Sequence, residues 1–234
     1  MSAPAVLEVT GVIKSYGGLR PLRMTGLAIA EAERVAVTGL DLAAAEVLVN
    51  LLTGAALPDQ GEIRIDGHST AAIADGDEWL ASLDRFGIVS GRAVLLEGMS
   101  LAQNLAMPYT LEIDPMPAEI QERVAALAGA CGIDGTWLTR PAGEAPSPVR
   151  VRAHLARAVA LDPRLLIVEH PTADIETADR APLAADVARV AGSRGMAALI
   201  LTMDEVFAAG AADRLLALQP ATGALRPARK GWFW

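Results

Sequence analysis

Residues 34–54 read RVAVTGLDLAAAEVLVNLLTG. Val35, Ala36 and Val37 form a short apolar run of strand character that ends at Gly39. Val47, Leu48, Leu51 and Leu52 then recur at the spacing of one buried helix face. A strand turning at a glycine into a helix is a strong constraint, because the first amides of such a helix converge on the turn and favour an anion there. A phosphate-binding loop places G-x-x-x-x-G-K-[ST] across this turn. Counted from Gly39, the second glycine falls on Ala44, the lysine on Ala45 and the metal-ligating hydroxyl on Glu46. The scaffold of the loop is present and its nucleotide chemistry is absent.

The 234 residues suffice for one large α/β domain. Hydrophobic residues make up 52% and aromatics only 4%, so the core must be built from Ala, Leu and Val, which suits a helix-covered parallel sheet. The net charge of −8, with no basic block, argues against nucleic-acid binding. Mean hydropathy is high at +0.33, yet no uninterrupted apolar run is long enough for a transmembrane helix. The first residues lack the pattern of a signal peptide. A single cysteine, Cys131, excludes an internal disulfide and reads as a buried small apolar residue. Three histidines and one cysteine give no metal-site spacing.

Strand and helix signals alternate along the chain. Residues 6–12 and 26–29 read as antiparallel strands, and Pro58-Asp59-Gln60-Gly61 is a turn. Ile63 and Ile65 alternate with charged neighbours before an Asp66-Gly67 turn. Residues 86–89, 165–168 and 198–201 have the apolar character of central parallel strands, and 214–218 reads as the final strand. Helix is expected over 100–135 with a break near Pro108 to Pro117, and over 153–161 up to Asp162-Pro163. The fold class that follows is α/β, a mostly parallel sheet with an antiparallel β subdomain and an inserted helical segment.

Several blocks together resemble the ATP-binding cassette (ABC) nucleotide-binding subunits of membrane transporters. They are 7–16, 35–67, 85–108, 150–172 and 199–218, in family order and spacing over essentially the whole chain. The retained stretches include LLTGAALPDQGEIRIDG, NLAMP, ARAVALDPRLLIVEHPTAD and ADRLLAL, and the chain looks most like small cassettes serving lipoprotein or lipid traffic. The resemblance implies a single P-loop NTPase-like domain over 1–234. Its core and β subdomain would lie at 1–90 and 155–234, and its helical subdomain at about 91–154. It also implies a nucleotide loop at Gly39, Leu40, Asp41, Leu42, Ala43, Ala44, Ala45, Glu46 and Val47, with Tyr16 as the aromatic that would stack on adenine. The loop glutamine after the 86–89 strand falls on Gly91. The signature sequence that serves a partner's nucleotide falls on Ala145, Pro146, Ser147, Pro148 and Val149. The metal-binding aspartate is Glu169, the water-orienting glutamate is His170 and the switch histidine is Met203.

The family's roles need phosphate donors, magnesium ligands and a base, and most of those residue types are gone. Glu46, placed in the first helical turn, and Asp41 are expected to fill the anion site themselves. A phosphate about 4 Å from such a carboxylate meets roughly 4 kcal/mol of repulsion. With the lysine lost as well, binding falls by about three or more powers of ten. Pro146 and Pro148 have no N–H to offer a partner's nucleotide. Tyr16 reads either as an adenine platform or as packing, Glu169 as a magnesium ligand or a structural acid, and His170 as a base or a satisfied polar residue at a strand end. Gly91, Leu95 and Leu96 mark the expected dock for a permease. Gly231-Trp232-Phe233-Trp234 reads as a docking tag or a segment folded onto the body.

The leading expectation is a pseudo-ATPase subunit of a transport complex, monomeric alone and peripheral to the cytoplasmic face of a membrane. Its partner would be an integral membrane permease or another cassette, and no cofactor would bind tightly. One alternative is a working ATPase that binds ATP and magnesium through replacement residues. Another is a binding module no longer tied to transport.

Overall fold

The computed structural model describes residues 5–228, so Trp232 to Trp234 lie outside the described residues. In chain order the strands and helices are β1 (Ala5–Lys14), β2 (Leu22–Ala30), β3 (Arg34–Thr38), α1 (Leu42–Leu52), β4 (Gln60–Ile65), β5 (His68–Ser69) and α2 (Gly76–Leu83). Then come β6 (Phe86–Val89), α3 (Leu101–Ala106), α4 (Ala118–Ala130), α5 (Ser147–Val159), β7 (Leu165–Glu169), α6 (Thr177–Ser193), β8 (Ala197–Leu201), α7 (Glu205–Ala211), β9 (Arg214–Gln219) and β10 (Ala224–Pro227).

One sheet has the order β10-β9-β3-β8-β7-β6, parallel except for β10. The second, β2-β1-β4-β5, is antiparallel. The continuous apolar character of β7 and β8 reflects burial on both faces. Successive side chains still part to opposite sides. Leu165 and Ile167 join α1 and the antiparallel sheet in one core, while Leu166 and Val168 join α4 to α7 in the other. Covering both faces is what lets a chain so poor in aromatics bury enough surface.

Two element boundaries differ from the sequence reading. Helix α5 begins at Ser147, six residues before the apolar periodicity becomes clear, because Pro146 and Pro148 are tolerated in a first turn whose amides need no helical partner. Residues 214–218 are not the last strand, since β10 follows through a turn at Gly223, whose φ is 78°. The break between α3 and α4 lies where expected, with α3 ending at Ala106 and α4 starting at Ala118. The Asp66-Gly67 turn lies where expected, with φ of 48° and 77°, and joins β4 to β5. Among the described residues no helix is long and apolar enough to cross a membrane.

Candidate nucleotide site

The strands β3, β8, β7 and β6 are neighbours and parallel, so the turns that follow them emerge at one edge, where open α/β sheets bind ligands. These turns carry Gly39, Met203, His170 and the segment Ser90-Gly91-Arg92. The topology therefore brings together residues up to 164 positions apart, Gly39 and Met203.

Gly39 has a φ of +90°, and a Cβ there would lie 2.6 Å from the Leu218 carbonyl oxygen, so only glycine fits this turn. Leu40 is buried beneath it. Asp41 is the N-cap of α1, and its Oδ1 accepts from the Ala44 amide at 2.8 Å. Leu42 and Ala43 are already helical and face solvent, so the chain enters the helix early and does not wrap an open loop. Ala45, where a lysine would reach for phosphate, is a fully buried methyl in the core beneath α1. Val47 is half-buried against the same core.

Of the two carboxylates expected in the anion site, Asp41 caps the helix start, whereas Glu46 is placed elsewhere. Glu46 stands in the second turn of α1, beyond the first-turn amides. It turns instead to Arg92, whose Nη1 lies 2.7 Å from Glu46 Oε1. The same guanidinium donates through Nη2 to Glu169 Oε2 at 2.6 Å and through Nε to Ser90 Oγ at 3.2 Å. Burial disfavours the charged guanidinium, but the hydrogen bonds and charges of Glu169 and then Glu46 outweigh it and raise its pKa. The side chain of Glu169 is only 6% exposed, so Arg92 supplies the counter-charge its burial demands.

Arg92 is the residue of the candidate site that the sequence alone did not single out. The available signal was an arginine immediately after the Gly91 position, in the turn of a short buried strand, in a chain whose two site acids otherwise lacked a partner.

His170 follows with a φ of 42°. Its N–H donates to the Leu201 carbonyl at 2.8 Å. The ring is not satisfied as expected: Nε2 is buried and has no protein partner. His154 Nδ1 is in the same condition, and both rings line a cavity of about 60 Å³ with Ser90, Gly91, Glu169 and Asp174. Burial, then the charges of Arg157 and Arg150, push the His154 pKa down to about 4, so this imidazole is neutral at neutral pH. Met203 points outward, 61% exposed, where a histidine would face a terminal phosphate. The Tyr16 ring lies over Gly18, where a Cβ would come within 2.7 Å of it, and is half-buried against the α1 core. Burial and the Asp41 charge raise its pKa. Cys131 is buried, and desolvation pushes its thiol up to about 12, far from a reactive thiolate.

The signature-equivalent residues open α5. Ala145 is buried, Pro146 is the N-cap without a side-chain bond, and Ser147 and Pro148 follow. The amides of Val149 and Arg150 both return to the Pro146 carbonyl, at 2.9 and 3.0 Å. Of the first four positions from the cap, two are prolines and one amide is already engaged, which leaves the Ser147 N–H.

Among the permease-dock residues, Leu95 is turned into the core, while Leu96 is 45% exposed and Gly91 lies at the surface. The Asn104 of the NLAMP block is itself fully buried. Its side chain accepts from the Leu96 amide at 2.8 Å and donates to the Leu96 and Ser100 carbonyls, both at 3.0 Å. It shapes the connector to α3 from inside. Next to that connector, a groove of about 350 Å³ is lined by Leu83, Phe86, Ile88, Ala93, Pro108 and Leu161.

The family of nucleotide subunits implied by the sequence uses ATP with magnesium. The residues present do not fit that pair: the acids that would hold the metal share one guanidinium, and the phosphate loop is capped by its own carboxylate. Among the described residues no group of three or more His, Cys, Asp or Glu is placed to hold a cation.

Residues 22–173 match the family model described as ABC transporter. Among curated proteins, the Fe(3+) ions import ATP-binding protein FbpC of Mesorhizobium japonicum is 28% identical over 200 residues, covering 85% of this chain and 54% of that protein. The FbpC of Pseudomonas fluorescens is 27% identical, with 91% and 58% covered. The lipoprotein-releasing system ATP-binding protein LolD of Psychrobacter arcticus is 25% identical, with 92% and 96% covered. The chain thus spans under two thirds of the iron-import relatives and nearly all of the lipoprotein-releasing one. Names among the relatives divide between cargo classes, so they do not single out lipoprotein or lipid traffic. Among solved structures, a bacterial ABC transporter cassette captured as a dimer superposes with a TM-score of 0.77 at 19% identity, over 97% of this chain and all of that one. CbiO1 of Clostridium perfringens, part of the cbiONQ ABC transporter complex, superposes at 0.78 with 19% identity, over 95% and 87%.

Proposed function

Because the chain belongs to the ABC transporter family, we propose that it is a cassette subunit of a membrane transport complex that keeps the fold and does not hydrolyse ATP. The observation that carries this reading is at α1. Asp41 takes the Ala44 amide at 2.8 Å, and the lysine position is the buried methyl of Ala45. A nucleotide arriving there meets a carboxylate where it needs donors, and no ammonium at the position that supplies one in the family.

The start of α5 supports the same reading from the other side. With prolines at 146 and 148, this chain offers a partner cassette little to hold a nucleotide with. Pairing with an intact cassette would therefore leave both shared sites impaired. Alone in solution the chain is monomeric in this reading, since the nucleotide that joins two cassettes is not held.

The partner is an integral membrane permease, which keeps the chain peripheral to the cytoplasmic face. The groove lined by Phe86, Ile88, Pro108 and Leu161 supports this, because it is mostly apolar, with Asp84, His154 and Arg157 also lining it, is open and lies between the parallel sheet and the helical residues of about 91–154. The substrate class stays as wide as the relatives' names.

Calorimetric titration with magnesium-ATP, followed by an ATPase assay of the chain with its co-purified permease, tests the reading. No heat of binding at micromolar nucleotide and no turnover are expected. Micromolar affinity or magnesium-dependent turnover lost in Glu169→Ala would overturn it.

A further inference from the structure

We infer that the Arg92 guanidinium is a resident cation standing in for the divalent metal, so that this chain does not recruit magnesium to its site. The inference rests on the cassette reading of the site, which assigns the metal to positions 46 and 169. Glu46 from α1 and Glu169 from the end of β7 converge on one group, at 2.7 and 2.6 Å. These two carboxylates belong to elements on different sides of the turn, and nothing local would bring them together with a like charge. A cation between them is required, and the chain carries its own.

The replacement has three physical parts. The guanidinium is planar and presents separate Nη groups, so it can serve two carboxylates at once, as an ammonium cannot do with fixed geometry. Its Nε bonds Ser90 Oγ, which fixes the fork from behind. The group is covalently tethered in the turn after β6, so its effective concentration is set by the fold and no free ion is recruited.

A hard divalent cation would need those same carboxylate oxygens. To enter, it would have to displace a charged, triply bonded group next to a buried acid. The substitution at position 46 then has a purpose. A hydroxyl there would leave Arg92 with one carboxylate, whereas Glu46 completes the bridge. The acid introduced at 46, the longer acid at 169 and the arginine at 92 form one matched set.

The test is Mn²⁺ binding followed by water-proton relaxation on the full chain. The wild-type chain should show no site-specific enhancement at millimolar Mn²⁺. Arg92→Ala frees both carboxylates and should bind Mn²⁺ at least about tenfold more tightly, a gain of about 1.4 kcal/mol. The added Glu169→Gln substitution should abolish that gain. Arg92→Gln, which keeps a shorter, uncharged polar side chain, provides the same reading if the alanine variant does not fold. Wild-type Mn²⁺ binding that is lost in Glu169→Gln would overturn the inference, as would no gain in either Arg92 variant. Failure here leaves the functional reading standing, because that reading depends on nucleotide binding and turnover. Turnover in the ATPase assay with a Mn²⁺-silent wild type would do the reverse.

Discussion

Helices α1 and α5 both begin where a cassette of this family would present backbone amides to a nucleotide, and both withhold them for opposite reasons. At α1 the amides exist, and the side chain of the N-cap residue engages one of them: Asp41 accepts from the Ala44 amide at 2.8 Å. At α5 the amides are removed from the chain, because Pro146 and Pro148 have none and Pro146 makes no side-chain cap. The first solution is electrostatic and reversible by one substitution. The second is covalent, and it leaves the helix start poorly capped, a cost that the pre-set φ of the prolines partly offsets. Losing the same property by two unrelated routes argues against a single damaged loop. Between them, Arg92 pairs with both Glu46 and Glu169.

The largest expected effect breaks the comparison by removing the α1 turn itself. Gly39→Ala forces a Cβ to within 2.6 Å of the Leu218 carbonyl at a φ of +90°, and should cost about 3 kcal/mol or more in urea denaturation. Arg92→Ala comes next. It strands the buried Glu169 carboxylate and should cost about 2 kcal/mol in the same measurement, while Arg92→Lys recovers only part because one ammonium cannot fork to both acids. Asp41→Ala removes the α1 cap and should cost about 1 kcal/mol. It should also raise affinity for inorganic phosphate, read by calorimetry, because the Ala44 amide is freed and a charge is lost. Pro146→Ser gives α5 the cap that α1 already has. The new hydrogen bond is offset by the lost rigidity of proline, so a net gain of about 0.5 kcal/mol or less is expected. Opposite signs for Asp41→Ala and Pro146→Ser would sharpen the contrast between the two helix starts; equal signs would remove it.

Much of this was legible from local pattern. The apolar runs of β7 and β8 announce strands covered on both faces, and the Gly39 turn announces a helix offered to an anion. The missing lysine, hydroxyl and signature glycines follow from counting. Boundaries were harder at α5, where a proline-rich first turn hides the helix start, and after β9, where a short edge strand has little periodicity. Among the expected dock residues, Leu96 faces out while Leu95 serves the interior, since the residues of a connector carry no periodicity that reveals which side is buried.

The amino-acid sequence by itself determined the framework and the inventory of losses, because periodicity, glycine turns and motif spacing are properties of neighbouring residues. Only the tertiary structure decided what replaced them. Glu46 was expected to face the anion site from its own helix and instead reaches across to Arg92, which also holds Glu169, 77 residues away. His170 and His154, on different elements, come to line one small cavity with unpartnered nitrogens. Such pairings leave no local trace, since they depend on which turns the parallel sheet carries to the same edge and on which buried charge there must be neutralised.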